Sequence, residues 1–341
     1  MGEDKQKDYR KLDGDQLPLL SIVVPFRLGE SAVLQCLDSI YSMSYPGERL
    51  DVIIIDDWHD DEISAGIRSA FPETRIFQNA QTLGCDAAKE IGIKAAAGDI
   101  IALTDADCRV DHNWGRTIAE ALSGETSIVT GPVSHERRFL HELICISDFP
   151  FSQSREYHLT DSFPGCNFAA HRRVFESVGF KYNVTSELRG GSDRLLSWHL
   201  YSMGERIAYD PRMVVFHKPA VDCRRILARR RMYGSTAYMM RKIDPTLPGS
   251  AIARIGPLAG LAYICYKSYM DIARFPRLVK AGVAPLWHVP LLLPCLFTFH
   301  LLDAVSITAQ QLKRSSVQTP ETWSRSREDK LRATDSYDRL R

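Results

Sequence analysis

The sequence predicts an α/β protein: a doubly wound, parallel or mixed sheet flanked by helices, joined to a C-terminal helical region associated with a membrane. Three observations carry this. Residues 19–26 (LLSIVVPF), 50–57 (LDVIIIDD) and 99–108 (DIIALTDADC) are nearly continuous apolar runs, the habit of strands covered on both faces in a parallel sheet. Helical stretches separate them, as βαβ units require. Residues 281–302 then run 22 positions without Asp, Glu, Lys or Arg, enough to span a bilayer at about 20 residues per crossing.

Taken in order, residues 1–18 form a polar tail; the first sixteen carry nine charges and no apolar segment, so no signal peptide opens the chain. The first strand ends at Pro25–Phe26, and Ser31 is the expected N-cap of a helix reaching Met43. The second strand ends in Asp56 and Asp57. A helix near 61–71, a short strand at 74–77 and a helix over 84–97 follow, the last stopped by Gly98. The third strand ends in Asp105 and Asp107. Ligands bind outside the carboxyl ends of strands in such sheets, where both acidic pairs sit. Beyond it, 127–133 reads as a strand, 136–148 as a helix, and 163–180 as a turn, strand and short helix. Residues 190–204 read as a helix capped by Ser192 and ended by Gly204, and 206–219 as a β segment.

Composition narrows the function. Of 341 residues, 45% are hydrophobic and 25% charged, with a net charge of +1. This excludes a disordered chain and a global electrostatic pull toward nucleic acid. The eight cysteines, at 36, 85, 108, 145, 166, 223, 265 and 295, show no C-x-x-C or zinc-type spacing and read as free thiols in a reducing compartment. Residues 221–242 hold seven Arg/Lys against one acid, Asp222, and fit a membrane-proximal cytoplasmic segment. Pro285, Pro290 and Pro294 interrupt the long apolar run and favour a broken or re-entrant helix pair. Residues 313–341 read as a polar tail.

Four separated segments, in order, resemble the family 2 glycosyltransferases: SIVVPFR (21–27), VIIIDDWHDD (52–61), LGCDAAKEIGIKAAAGDIIALTDADC (83–108), and GCNFAAHRRVFESVGF with GGSDRLLSWHLYSMGERIAYDPRMVVFHKP (165–219). The resemblance implies the GT-A fold over 19–235, with a nucleotide-binding half at 19–110 and an acceptor half at 111–235. Residues 236–312 are then the helical, membrane-associated region, with contact through about 250–305. By the same resemblance, Pro25, Phe26 and Arg27 frame the base or ribose, and Asp56 or Asp57 accepts a hydrogen bond from the base. Asn79, Gly84 and Lys89 fall near the nucleotide phosphates.

The D-x-D at Asp105–Ala106–Asp107 suits a hard divalent cation, Mn²⁺ or Mg²⁺, which takes oxygen ligands and neutralises a departing pyrophosphate. Asp107 is the expected ligand, Asp105 contacts the ribose or the metal shell, and His217 completes the shell. A hydroxyl attacking an anomeric carbon needs a base; Asp193 matches the family's catalytic carboxylate. Gly165 and Asn167 are expected near donor sugar or acceptor, and Trp198 either packs or forms a sugar platform. Arg229 and Arg231 are expected at the pyrophosphate. Two departures stand out: Ser192 precedes Asp193 where the family often has Glu, and Glu90 replaces a frequent Asn. LARRRMYG (227–234) matches the family's Q-x-x-R-W only loosely, which argues against a processive polymer synthase.

The resemblance thus implies a metal-dependent, inverting glycosyltransferase. Its donor is a nucleotide sugar, UDP-linked in the favoured reading, and its acceptor a lipid-linked or polysaccharide chain at the cytoplasmic membrane face. The competing reading is an inactive, membrane-bound scaffold. A sugar-phosphate nucleotidyltransferase is disfavoured, because PFRLGES after the first strand is no glycine-rich phosphate loop.

Overall fold

The computed structural model describes residues 12, 14–27, 29–136, 138–149, 153–177, 181–182, 188, 190–218, 222–280, 282–283 and 285–312. The expected C-terminal tail and most of the N-terminal one lie outside the described residues.

Strands β1 (Leu20–Phe26), β2 (Leu50–Asp56), β3 (Arg75–Gln78) and β4 (Ile100–Leu103) form the parallel half of an eight-stranded sheet ordered β3-β2-β1-β4-β9-β6-β10-β8. β6 (Ile128–Thr130), β8 (His158–Thr160), β9 (Phe168–His171) and β10 (Ile207–Tyr209) complete it. The sheet is mixed: β9 runs antiparallel to both β4 and β6, and β8 antiparallel to β10. Side chains alternate along each strand. Leu20, Ile22, Val24 and Phe26 of β1 therefore enter one core with α1 (Glu30–Tyr41) and α4 (Trp114–Leu122). Val23 enters the opposite core with Ile53, Ile55 and Leu103, beneath α3 (Cys85–Ala95) and α7 (Ser192–Ser202). Burial on both faces is why these strands lack polar alternation.

Several expected boundaries shift. The third strand stops at Leu103, so Asp105 and Asp107 lie in a turn before a new strand, β5 (Cys108–Val110). The expected strand 127–133 breaks at Gly131–Pro132 into β6 and β7 (Val133–Ser134). The 206–219 segment likewise divides into β10 and β11 (Val215–His217), which belong to different sheets. β11 joins β5 and β7 in a three-stranded sheet across the site. Neither serine caps its helix: Gly29 precedes α1 and Gly191 precedes α7, both in the left-handed region. Asp60 does cap α2 (Asp61–Ala70), accepting from Ile63 N at 3.0 Å. Helix α4 and strand β8 arise where no element was expected.

The remaining helices are α5 (Phe139–Asp148), α6 (Arg172–Phe175), α8 (Cys223–Ile243), α9 (Ala259–Lys280) and α10 (Val289–Leu312). Residue 235, the expected domain boundary, lies inside α8. Leu143 and Ile146 of α5 share an apolar cluster with Phe275, Leu278, Leu292, Leu296 and Phe299, so α9 and α10 pack onto the sheet domain. The stretch Leu286–Leu312 is long and apolar enough to cross a membrane; an 18-residue window in it has a mean hydropathy of 1.7, and 39% of that window is buried against the protein. α8 and α10 approach so closely that a Cβ on Gly234 would overlap the backbone of Asp303.

Gly234→Ala is expected to lower stability by about 1–3 kcal/mol through overpacking. Gly47→Ala, where nothing lies within 4 Å of the new Cβ, serves as control. Urea unfolding of both variants checks this.

Candidate active site

Beyond the carboxyl end of β4 lies a cavity of about 520 Å³. Its walls include Asp86 and Lys89 of α3, Asp105 and Asp107 of the β4–β5 turn, Gly165, Asp193, His217, and Arg229 and Arg230 of α8. Helix geometry brings Asp86 and Lys89, three residues apart, to one face. Lys89 is 3% exposed. Its Nζ pairs with Asp105 Oδ1 at 2.7 Å and donates to the Gly165 carbonyl at 2.8 Å. Gly165 N in turn donates to Asp193 Oδ2 at 2.8 Å. One ammonium thus links the D-x-D turn to the loop that positions Asp193. Lys89 holds this junction with two of its three N–H donors. A Cβ at Gly165 would lie 2.6 Å from the Tyr182 hydroxyl and 3.3 Å from Lys89 Nζ, so the close junction requires glycine there.

Burial raises the Asp193 pKa above its ordinary value, against the opposing Gly165 N–H, the Lys89 charge and the Arg194 N–H. Its neighbour Asp86 is pushed up to about 6, again mainly by burial; the Ser192 hydrogen bond and Lys89 oppose this. Ser192 Oγ donates to Asp86 Oδ2 at 2.5 Å. Asp86 thus brings a carboxylate from α3 to the residue before Asp193, where the sequence has Ser in place of the family's frequent Glu. Sequence reasoning missed Asp86; its i, i+3 spacing from Lys89 is the signal that could have found it.

On the opposite wall the β5–β11 pairing sets His217 across from Cys108 and beside Asp107. His217 Nε2 and Asp107 Oδ2 are 3.4 Å apart, and Asp107, Cys108 and His217 offer ligand atoms within 4.8 Å of one another. Two neighbouring ligands of an octahedral ion with bonds of about 2.1 Å lie about 3 Å apart, so the Asp107–His217 pair fits a divalent cation. Cys108 is buried, and burial first, then Cys166, raises its pKa well above the ordinary value; it stays a thiol, unsuited to a hard ion. Burial also pushes Asp107 upward, but the His217 hydrogen bond and the charges of His217 and Arg229 outweigh it and hold the pKa low. Asp105 is committed to Lys89, and Ala106 packs against the first core.

Other expected contacts resolve differently. Asp56 and Asp57 are buried and act on their own chain. Asp56 accepts from the N–H groups of Trp58, His59 and Asp60, from Ser64 Oγ and from Gln78 Nε2, at 2.8–3.2 Å. Asp57 accepts from Asn79 Nδ2, Leu83 N and Gly84 N at 2.8–2.9 Å. Both carboxylates, with Asn79 and Gly84, build the loops at the carboxyl ends of β2 and β3; Asp56 accepts five bonds from its own chain and Asp57 three. Pro25 and Phe26 lie in the buried strand, while Arg27 is exposed with its guanidinium 5.4 Å from the Trp58 ring.

Asn167 is fully buried. It accepts from Trp114 Nε1 at 2.9 Å and donates to the carbonyls of Pro132 and Met213 at 3.0 and 2.8 Å. It locks the two sheets together and cannot touch a sugar. Trp198 lies outside the cavity wall and donates to Thr246 Oγ1 at 3.0 Å, which is the packing role. Arg229 lines the cavity, bonded to Asp148 Oδ2 at 2.9 Å, but Arg231 is exposed and its place on the wall is taken by Arg230.

Residues 21–179 match the glycosyl transferase family 2 domain, and this part of the chain belongs to that family. The chain is 27% identical over 111 residues to the glycosyltransferase AglE of Haloferax volcanii, a match covering 32% of this chain and 36% of that relative's length. The mannosyltransferase PcManGT of Pyrobaculum calidifontis, solved with GDP-Man and Mn²⁺, superposes with a TM-score of 0.59 at 18% identity, covering 91% of this chain and 92% of that one. GalNAc-T7, solved with UDP, GalNAc and Mn²⁺, gives 0.50 at 16% identity, covering 77% and 59%. The fold is GT-A.

Asp56→Ala strands three backbone N–H groups and two side-chain donors. It is expected to lower stability by more than about 3 kcal/mol, read as the midpoint shift in urea unfolding.

Proposed function

We propose that the protein is a metal-dependent, inverting glycosyltransferase that takes a sugar from a nucleoside diphosphate sugar. The observation that carries this is the meeting, in one cavity, of an Asp107–His217 pair suited to a divalent ion and an enclosed carboxylate, Asp193, held for proton transfer. Asp107 and His217 would hold Mn²⁺ or Mg²⁺, which when bound neutralises the charge that develops on the leaving pyrophosphate. Asp193 Oδ accepts the proton of the attacking hydroxyl as its oxygen bonds to the anomeric carbon. The bond from that carbon to the phosphate oxygen breaks, and the nucleoside diphosphate leaves. One base without a positioned nucleophile supports a single displacement with inversion, parallel to inverting glycoside chemistry with the acceptor in place of water. A raised Asp193 pKa suits the role, since a stronger base takes the proton more readily once ionised.

A UDP-linked sugar is the first donor to test. The acceptor is a lipid-linked or polysaccharide chain and the location the cytoplasmic membrane face. Exposed apolar side chains on the C-terminal helices support both, among them Leu258, Leu261, Ile272, Trp287, Leu291 and Val305.

Calorimetry of UDP, GDP, dTDP and CMP, with and without Mn²⁺, tests the donor reading. One nucleotide is expected to bind in a Mn²⁺-dependent manner, with the dependence lost in Asp107→Ala. No binding of any nucleotide by folded protein overturns the reading and favours a scaffold. Asp193→Asn is expected to lower kcat about 100- to 10,000-fold while nucleotide binding persists. Because Asp193 must be ionised and its pKa is raised, wild-type kcat is expected to fall with decreasing pH from above the ordinary aspartate range, measured as an initial-rate pH profile.

A further inference from the structure

The cavity does not end at the catalytic carboxylate. Its wall continues along α8 through Arg230, Met232 and Tyr233 to Tyr263 and Lys267 on α9 and Asp303 on α10. These helices lie outside the segment 21–179 that matches the family, so this end of the cavity is built by the C-terminal third of the chain. It is polar, although the helices that build it are largely apolar.

The charges here are unevenly satisfied. Asp148 binds Arg229 and Arg230, at 2.9 and 2.5 Å. Asp303 Oδ2 faces Arg230 at 3.8 Å and the Tyr263 hydroxyl at 3.4 Å, while Asp303 Oδ1 is buried without a hydrogen-bond partner. Arg274 is committed to Asp271. Lys267 makes no hydrogen bond or ion pair with any described residue. Along this wall Arg229, Arg230 and Lys267 stand against Asp148 and Asp303, and the cation in excess is the one left without a partner. Burial, then the nearby Arg274, Arg230 and Arg241, push Lys267 down to about 7, with Asp303 opposing. A lysine in such a place lacks an anion: a bound anion would restore its charge and use it.

We propose that the inner end of this cavity is an acceptor subsite for a phosphate ester, held by Lys267 with help from Arg230 and the Tyr263 hydroxyl. A phosphate accepts hydrogen bonds from several directions, and the available donors come from two different helices; a planar carboxylate would be served by one guanidinium fork. Asp303, already facing Arg230 and Tyr263, sets the orientation of those donors; it and Asp148, which holds Arg230, are the acids the phosphate must avoid. The acceptor then has two parts: a hydroxyl that reacts at Asp193, and a phosphate anchored deeper among α8, α9 and α10. This rests on reading the cavity as a transfer site.

The test uses the full chain in detergent without added metal, so that the Asp107–His217 pair does not recruit the probe. Inorganic phosphate is titrated calorimetrically into wild type and Lys267→Gln. Vesicles of phosphatidylcholine with and without phosphatidic acid form a second arm, which separates a free phosphate from a lipid headgroup. Wild type is expected to bind inorganic phosphate or the phosphatidic acid vesicles at least tenfold more tightly than Lys267→Gln, while Mn²⁺-nucleotide binding stays equal in both proteins and shows that the variant folds. Equal affinity of the two proteins in both arms overturns the proposal. Absence of nucleotide binding in both proteins would instead sink the transferase reading, whatever the phosphate arms give.

Discussion

A buried ammonium is costly unless opposite charge and hydrogen-bond acceptors surround it, and Lys89 sits where both are supplied. Asp105 gives the charge, from the turn that follows β4; Gly165 gives the carbonyl, from the loop that precedes β9. Neither partner could be moved without stranding the ammonium. The Tyr182 ring lies 5.6 Å from the same ammonium. Because Gly165 also donates to Asp193, fixing Lys89 fixes the distance from the D-x-D turn to the proposed base. The two halves of the domain become one site through a side chain that touches both.

Much of the fold was legible because burial on both faces leaves an unmistakable sequence. β1, β2 and β4 read as unbroken apolar runs, and the helices between them had to cover the sheet. Legibility failed where structure depends on tertiary partners. β8 is three residues long and exists through its pairing with β10. The segment after Asp105 turns because β5 pairs with β11, a strand more than a hundred residues later. At the site, Asp107, Asp193 and His217 were visible as residue types at the ends of elements, and the fold gathers them around one cavity. Asp56, Asp57 and Asn167 were equally visible as polar residues in the right segments. The fold engages them instead with backbone and neighbouring side chains. No one-dimensional pattern separates a carboxylate that caps its own turn from one that faces a ligand.

The C-terminal third shows a related ambiguity. An uncharged run of 22 residues reads as a membrane segment, yet part of its apolarity serves internal packing against α5 and α9. The same helix carries Asp303, and α9 carries Lys267 and Asp271. These polar groups turn inward, and Lys267 and Asp303 line the far wall of the cavity. The helices therefore complete the catalytic domain as well as presenting apolar surface. The run of arginines in α8 also divides: Arg229 and Arg230 turn inward to Asp148, while Arg224 and Arg231 face solvent.

The most direct test of the Lys89 linkage is the titration of Asp193 itself. Carboxyl ¹³C NMR of specifically labelled protein would follow Asp193 in wild type and in Lys89→Met, with the folded state verified by the methyl spectrum. Lys89 lowers the Asp193 pKa by its charge, so the variant is predicted to titrate at higher pH than wild type. An Asp193 that titrates at the same pH in both proteins would show that the ammonium does not couple the two halves and would contradict the account.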